Sequence, residues 1–272
     1  MRRLVFLSLM FVPALALGAC SSSSSKQGNA TTVTTTKAPP APAPLRVLVT
    51  NDDGVHAPGI DALVQALRAL PNVTVTVVAP AVNQSGTGGK TSTGTLQHSA
   101  TTTASNYPAT AVRGYPADTI VWAIDDHGVA QRPDVVLSGV NNGQNIGPFI
   151  KISGTVGAAR AAAARGIPAL AISAGIGAPT NFAAGAHQAI VWLDAHRAAL
   201  SAHTVHATVT NINVPTCAHG STRPLVVVPV APPGVNAGLA VNCVSPAPNP
   251  ANDVDGFEHG YIVETDDLPA SA

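Results

Sequence analysis

Two adjacent carboxylates follow the first apolar run of the folded part of the chain. Asp52 and Asp53 stand in the segment Asn51-Asp52-Asp53-Gly54, directly after Val49 and Thr50. Neighbouring carboxylates raise each other's pKa unless a cation neutralises them. Oxygen ligands suit a hard divalent ion, Mg²⁺ or Mn²⁺. The same residue types are common in ordinary turns, so this pair alone leaves both a metal site and a turn open.

A second polar segment, residues 83–90, follows the second predicted strand and reads Asn-Gln-Ser-Gly-Thr-Gly-Gly-Lys. Its glycines allow a close backbone approach to a ligand, and Ser85 supplies a hydroxyl group. The spacing of glycine and lysine does not match a P-loop. A flexible surface loop is the alternative interpretation.

A third polar segment, residues 138–147, follows another predicted strand and alternates asparagine with glycine. Asn141 and Asn145 offer neutral oxygen ligands there. A predicted helix then begins at Ser153-Gly154-Thr155, and a helix N-terminus with small hydroxyl residues favours anion binding. A simple N-cap role for Ser153 or Thr155 is compatible with that function.

The three segments together indicate phosphate-ester hydrolysis. In open α/β sheets, ligands bind outside the carboxyl ends of the strands, which is where all three segments are predicted to lie. A hard metal beside an anion site would polarise a phosphoryl oxygen and lower the pKa of a bound water molecule.

The elements that must position these segments alternate between strand and helix. Apolar runs predict strands over residues 45–49, 73–78, 134–137 and 169–172, and apolar spacing predicts helices from Pro58 to Leu70, over 155–165 and over 182–200. This alternation predicts an α/β fold, a three-layer sandwich whose mostly parallel sheet is covered on both faces. Beyond Leu200 we predict a β-rich extension with strands over 205–214 and 225–230, a long loop over 231–251 and a short strand over 261–263.

The N-terminal segment predicts export and lipid attachment. Arg2 and Arg3 precede an apolar run that is too short to span a membrane, and the run ends in Leu17-Gly-Ala-Cys20, which resembles a bacterial lipobox. We therefore predict a signal peptide over residues 1–19, a lipidated Cys20 and an extracytoplasmic protein anchored to a bacterial membrane. A secretory signal with an incidental cysteine is the alternative. Residues 20–44 are rich in Ser, Thr and Pro and predict a tether, and the folded domain is predicted over residues 45–272.

Charge and cysteine content agree with this organisation. The chain has 14 basic and 14 acidic residues, and only 10% of its residues are charged, so it lacks the basic surplus of a protein that binds long nucleic acids. Loss of the signal peptide would remove two arginines and leave a net charge of −2. Cys217 and Cys243 can form one disulfide outside the cytoplasm, and two unpaired buried thiols are the alternative.

The motifs resemble those of the SurE family of metal-dependent 5′/3′-nucleotidases. The run Val49-Thr-Asn-Asp-Asp-Gly-Val-His-Ala-Pro-Gly59 is similar to the opening motif of that family. Further similar segments follow in the family's order: 78–80, 83–86, 114–118, 138–147, 153–156, 166–170, 211–215 and, more weakly, 259–263.

This resemblance implies a Rossmann-like α/β fold, a β extension used in subunit exchange, and a homodimer or homotetramer. It implies one divalent ion held by residues matching Asp52, Asp53, Ser85 and Asn141, and a phosphate pocket lined by Asn145, Ser153, Gly154 and Thr155. Asn51 lies in the same motif and is predicted to contact substrate. Substrates in the family are nucleoside monophosphates, with short polyphosphate as a side activity.

Some positions depart from the family's pattern. Gly88-Gly89-Lys90 replaces a serine-rich stretch, and Ala161 replaces an acidic residue of the helix after Ser-Gly-Thr. We predict a lipid-anchored, metal-dependent phosphomonoesterase that acts on nucleotides, with Asp52 and Asp53 as its catalytic centre. The alternatives are a non-catalytic lipoprotein that binds nucleotides or phosphate, and a serine hydrolase that uses Ser85.

Overall fold

Six parallel strands form the centre of the structure, a computed structural model that describes residues 43–270. The strands are β1 Leu45–Thr50, β2 Val73–Pro80, β3 Gln97–Thr102, β4 Pro108–Arg113, β5 Val135–Asn142, β6 Ala169–Ala174, β7 Val209–Val214, β8 Arg223–Val227 and β9 Tyr261–Leu268. They make one nine-stranded sheet in the order β3-β4-β2-β1-β5-β6-β7-β9-β8. The strands from β4 to β7 in this order run parallel, β3 is antiparallel to β4, and β9 is antiparallel to β7. The predicted α/β class with a mostly parallel sheet is confirmed.

Helices cover both faces of this sheet. They are α1 Pro58–Arg68, α2 Pro116–Ile120, α3 Gly154–Ala163, α4 Phe182–Ser201 and α5 Asp253–Glu258, with a π-helical turn at Val121–Asp125 and a 3-10 helix at Gly147–Lys151. One core lies between the sheet and the pair α1 and α4, and a second lies between the sheet and the pair α2 and α3. The result is the three-layer arrangement that the alternating pattern predicts.

The apolar spacing of α1 matches its buried face. Ile60, Leu63, Val64 and Leu67 are all fully buried, as expected for residues that recur every three or four positions. Pro58 begins the helix at a position that needs no N–H donor. The buried face fixes α1 against the sheet and so fixes the turn between β1 and α1, which carries the two adjacent carboxylates.

The segment predicted as a β extension contributes strands to the same sheet. β9 lies between β7 and β8, and the helix α5 precedes it. Residues 231–252 contain no helix or strand, in agreement with the predicted long loop. A small third core, which includes Ile146, Ala231 and Phe257, packs this loop and α5 against residues that follow β5.

The predicted signal peptide, Cys20 and nearly all of the predicted tether lie outside the described residues. Within residues 43–270, no helix is long and apolar enough to cross a membrane. The predicted domain boundaries, with a folded domain over residues 45–272, stay a prediction.

Candidate active site

A polar cavity of about 220 Å³ lies at the carboxyl ends of the parallel strands. Five of the predicted site residues line it: Asp52, Ser85, Asn141, Asn145 and Ser153. They lie at or after the ends of three strands, β1, β2 and β5, which are far apart in the chain, so the sheet brings them together. Another cavity of about 150 Å³, lined by residues such as Arg46, Thr74 and Pro133, contains no carboxylate pair and none of the predicted site residues.

Asp52 is buried in the cavity floor and held by one residue of α3. The backbone N–H of Thr155 donates to Oδ2 at 3.1 Å, and its hydroxyl donates to Oδ1 at 2.8 Å. Burial raises the pKa of Asp52 to about 6, the charge of Asp53 adds to the rise, and the donors of Thr155 oppose it. Asp52 is therefore a carboxylate whose charge is only partly compensated by the protein.

Asp53 stands beside the cavity and does not line it. Its Oδ2 accepts the backbone N–H of Asn142 at 2.9 Å, and its Oδ1 accepts the side-chain amide of Asn83 at 3.3 Å. Burial raises its pKa as well, against the effect of these two donors. Two neighbouring carboxylates with raised pKa values form a site where a cation would favour ionisation.

The Asn141 side chain is oriented by its own loop. Its amide nitrogen donates to the carbonyl of Gly143 at 2.6 Å, and Oδ1 accepts no hydrogen bond from residues 43–270. Ser85 is exposed on the loop after β2, where its backbone N–H donates to the Asn83 side chain at 2.8 Å. Both oxygens are therefore free to bind a cation beside Asp52.

The donor set fits a hard divalent ion. In the described part of the chain, no three His, Cys, Asp or Glu side chains lie close enough together to hold a metal ion. These residues therefore form no metal site built from three or more thiolates, imidazoles or carboxylates. The cavity instead combines the Asp52 carboxylate with the neutral oxygens of Ser85 and Asn141, and Asp53 lies next to it. Oxygen-only donors are those that Mg²⁺ and Mn²⁺ prefer.

The N-terminus of α3 differs in part from the predicted phosphate site. Ser153 lines the cavity and caps the helix by accepting the N–H of Val156 at 3.1 Å. Thr155 lies behind Asp52, and both of its donors are used by that carboxylate. A Cβ atom at Gly154 would lie 2.7 Å from Cβ of Asp52, so glycine permits the close approach of helix and carboxylate. The structure thus gives Thr155 and Gly154 positions that hold Asp52, outside the cavity lining.

Asn51 also lies outside the cavity. Its side-chain amide donates to the carbonyl of Gly54 at 2.9 Å, and its Oδ1 accepts the N–H of Gly54 at 3.2 Å. Both polar atoms of the side chain are used to close the turn, so Asn51 shapes the segment that carries Asp52 and Asp53.

Asn145 is fixed by a buried polar network. Its backbone N–H donates to Asn213, and its carbonyl accepts from the side chains of Asn211 and Asn213. Its own amide nitrogen donates to Ser173 at 2.9 Å. Three residues of β6 and β7 therefore position the asparagine that faces the cavity.

Other residues of the site were not predicted individually from the sequence. Asn83 and Asn142, which bind Asp53, lie within the polar segments singled out there, but nothing in their spacing distinguishes them from their neighbours. Phe149 and Ile152 also line the cavity. The sequence does not single them out, because Ile146 and Ile150 of the same segment are also large and apolar and are buried in the core.

The serine-hydrolase alternative has no support in the geometry. Among residues 43–270, no histidine forms a hydrogen bond with Ser85, so no general base activates its hydroxyl. Cys217 and Cys243 lie apart from the cavity and are joined in a disulfide with a Cα–Cα distance of 5.7 Å.

Comparison with known proteins agrees with the motifs. The family described as Survival protein SurE matches residues 47–232. A protein of Geobacter sulfurreducens named 5′-nucleotidase SurE is 44% identical over 172 residues, which cover 63% of this chain and 62% of the relative. One of the same name from Halobacterium salinarum is 48% identical over 128 residues, or 47% of this chain and 46% of the relative. The chain thus matches less than two thirds of the length of these relatives.

A solved structure has a similar fold. The crystal structure of the SurE protein from Aquifex aeolicus superposes with a TM-score of 0.62 at 27% sequence identity. The alignment covers 81% of this chain and 92% of the other. The similarity in fold therefore extends over most of this chain.

Proposed function

Because this chain belongs to the survival protein SurE family, we propose that it is a divalent-metal-dependent phosphomonoesterase that hydrolyses nucleoside 5′- and 3′-monophosphates. One observation carries the proposal: Asp52, Ser85, Asn141, Asn145 and Ser153 line one cavity, and Asp53 adjoins it. The names of the relatives support nucleotides as the substrate class.

Asp52, Asp53, Ser85 and Asn141 would hold the ion. A bound divalent ion supplies positive charge that polarises a phosphoryl group and lowers the pKa of water. Mg²⁺ and Mn²⁺ both suit these oxygens. Thr155 and Asn142 hold the two carboxylates in place, so the protein does not have to reorganise them when charge develops at phosphorus.

Ser153 and Asn145, which line the same cavity, would hold the phosphate. The Ser153 hydroxyl accepts a helix N–H and retains its own proton as a donor. The amide nitrogen of Asn145 donates one hydrogen to Ser173 and carries a second. Both groups line the cavity, and Ser153 stands at the N-terminus of α3, whose dipole favours an anion.

The proposal is tested by measuring phosphate release from a panel of nucleoside monophosphates and short polyphosphate. The full chain is assayed after treatment with chelator and after addition of Mg²⁺ or Mn²⁺. We expect release from nucleotides that stops with chelator and returns with either ion. Tight nucleotide binding without release under all conditions would instead indicate the non-catalytic lipoprotein.

The cellular location is part of the proposal. The lipobox-like segment at Cys20 supports a lipid anchor on the outer side of a bacterial membrane, and the disulfide between Cys217 and Cys243 fits an oxidising compartment. Labelling of cells with a radioactive fatty acid should mark the wild-type chain. A Cys20→Ser variant should take up no label, and label on that variant would contradict the anchor.

The assembly is proposed to be a homodimer or homotetramer, as in the family that the motifs resemble. Sedimentation of the purified chain should give a mass of two or four subunits. A monomer at micromolar concentration would contradict this part of the proposal.

A further inference from the structure

A second cavity, of about 510 Å³, borders the disulfide and is called the cysteine groove below. It is lined by residues 179–181, 215–217 and 220–222, which follow the carboxyl ends of β6 and β7 or begin the connection to β8. Apart from Cys217, these residues are proline, glycine, serine, threonine and asparagine, so none carries a charge. The groove shares no lining residue with the candidate active site.

The two sulfur atoms of the disulfide differ in their access to this groove. Cys217 lines the groove and is half-buried. Its partner Cys243 is only 9% exposed and does not line the groove. Thiol–disulfide exchange starts when a thiolate attacks one sulfur atom of a disulfide, and its rate depends on access to that atom. A thiolate in the groove therefore reaches Cys217 first, and no carboxylate in the lining repels its negative charge.

The buried half of the disulfide holds a segment that adjoins the active-site cavity. In the described part of the chain, residues 238–245 make hydrogen bonds to just two residues outside the long loop, Gln144 and Glu258. Nε2 of Gln144 donates to the carbonyl of Gly238 at 3.1 Å, and Gln144 itself lines the cavity. Val241 adds an apolar contact with the small third core. The disulfide is thus one of few attachments of the segment that supports Gln144.

We propose that the cysteine groove is a site of thiol–disulfide exchange with a small peptide thiol of the glutathione type, and that this exchange weakens substrate binding in the candidate active site. The thiolate attacks Sγ of Cys217 and forms a mixed disulfide with it. The bond between the two Sγ atoms breaks, and its electron pair leaves on Sγ of Cys243, which takes a proton from water. A second thiol then attacks the mixed disulfide and releases Cys217 as a thiol, so the protein gains two electrons and two thiols are oxidised to their disulfide.

The effect on the active site follows from the freed loop. Once Cys243 is released, substrate binding has to order residues 238–245 before Gln144 has its partner in place. This ordering costs binding free energy, so the Michaelis constant rises. The effect on substrate rests on the proposed function, whereas the exchange at Cys217 does not.

The first test locates the mixed disulfide. The full chain with Cys20→Ser, which leaves Cys217 and Cys243 as its cysteines, is treated briefly with glutathione and then with iodoacetamide. Chymotryptic cleavage between the two cysteines, for example after Leu225, allows each to be identified by mass spectrometry. We expect glutathione on Cys217 and the alkyl group on Cys243. Glutathione on Cys243, or on both cysteines equally, would overturn the exchange site.

The second test places a charge in the groove. Ser221 is exposed and lines the groove, so Ser221→Asp adds a carboxylate there and Ser221→Asn is the neutral control of the same shape. We expect Ser221→Asp to react with glutathione about threefold more slowly than Ser221→Asn at low ionic strength, with the difference lost in high salt. Equal rates at low ionic strength would show that the thiolate does not enter through the groove.

The third test measures phosphate release from adenosine 5′-monophosphate with Mg²⁺ before and after full reduction by glutathione, with circular dichroism to verify the fold. We expect KM to rise about fivefold and kcat to change less than about twofold. The Cys217→Ser/Cys243→Ser variant should have the raised KM with and without glutathione. Unchanged KM in the reduced chain would overturn the link to the active site. Glutathione on Cys217 without phosphate release in either state would overturn the proposed function and leave the exchange site standing.

Discussion

Thr155 donates two hydrogen bonds to the carboxylate of Asp52. Its N–H and its hydroxyl bind different oxygens of the carboxylate, and the carboxylate is otherwise buried. A residue that binds a metal-ligating carboxylate fixes the direction of its remaining lone pairs. We therefore expect Thr155 to affect activity by changing how tightly Asp52 binds the metal ion.

Replacing the hydroxyl of Thr155 tests this role. Thr155→Val keeps the shape of the side chain and removes the donor to Oδ1, so we expect metal affinity and kcat/KM each to fall about 10-fold to 100-fold. Thr155→Ser keeps the donor and serves as the matched control, with nearly wild-type values. Metal titration and phosphate release measure the two quantities. If Thr155→Val lowered kcat/KM as much at saturating metal as at limiting metal, the loss would not come from weaker metal binding. That result would contradict the proposed role of Thr155.

Residue types could be predicted from the sequence better than residue roles. The adjacent carboxylates, the glycine-rich loop and the asparagine segment all adjoin one cavity, because parallel strands end at one edge of the sheet. The direction of each side chain could not be predicted. Thr155 and Gly154 lie behind Asp52, and Asn51 closes a turn, because hydrogen bonds between distant segments decide which atoms remain free.

At the scale of elements, α3 must approach the end of β1 very closely. Its first residue, Gly154, has Asp52 and Pro116 against it, and a Cβ there would lie 2.9 Å from Cγ of Pro116. The helix is rich in alanine, and Ala158, Ala159 and Ala162 are fully buried. Small side chains let the helix pack close to the sheet and bring its N-terminus to the carboxylate.

Gly154→Ala should therefore displace α3 from Asp52. We expect a loss of about 1–3 kcal/mol in the free energy of unfolding, as for other overpacked sites, together with a large loss of phosphate release. Gly89→Ala is the control, because a Cβ at Gly89 meets no atom within 4 Å. Chemical denaturation and the phosphate assay provide the measurements. Wild-type phosphate release by Gly154→Ala would show that activity does not require the close approach of α3 to Asp52.

The strand β9 carries a carboxyl group with a stability effect that depends on pH. Burial raises the pKa of Glu264 to about 7, and nearby Asp266 adds to the rise. The folded state thus holds this proton at pH values where the unfolded chain has lost it, so stability falls as pH rises from about 4.5 to about 7.

Glu264→Gln mimics the protonated group and should remove this dependence. We expect the Tm of the variant and the wild type to be similar near pH 4, and the variant to be more stable above about pH 7. Thermal unfolding across this range measures the difference. A constant difference at all pH values would show that Glu264 does not titrate between the two states.

Element prediction succeeded where apolar spacing was strong. The strands predicted within the sheet and the three predicted helices correspond to β1, β2, β5, β6, α1, α3 and α4. Most predicted ends lie within a few residues of the observed ends. The exception is β5, which continues to Asn142. The strand pair β3 and β4 was not predicted. β3 reads Gln-His-Ser-Ala-Thr-Thr and is largely exposed, and an exposed edge strand lacks the apolar alternation on which such a prediction depends.

For the molecule as a whole, the disulfide ties the connection between β7 and β8 to the long loop before α5. Cys217 and Cys243 are separated by 26 positions, and closing a loop of that length is expected to contribute about 3.5 kcal/mol. The long loop also contacts the cavity through Gly238 and Gln144. The bond therefore restrains a segment that adjoins the candidate site.

Removing this bond should lower the stability of the whole protein. We expect the Cys217→Ser/Cys243→Ser variant to lose about 3.5 kcal/mol in the free energy of unfolding and to be insensitive to reductant. The wild type should approach the variant when reductant is added. Equal stability with and without reductant in the wild type would show that the bond contributes nothing.

The most direct test of the account is a titration of Mn²⁺ into the metal-free full chain, with free ion measured by electron paramagnetic resonance and phosphate release from adenosine 5′-monophosphate measured on the same samples. We expect one bound ion per chain, with phosphate release rising in proportion to ion binding. The Asp52→Asn/Asp53→Asn variant should lose both while keeping its Tm. Full phosphate release without a bound ion, or undiminished ion binding in that variant, would contradict a metal centre at these two carboxylates.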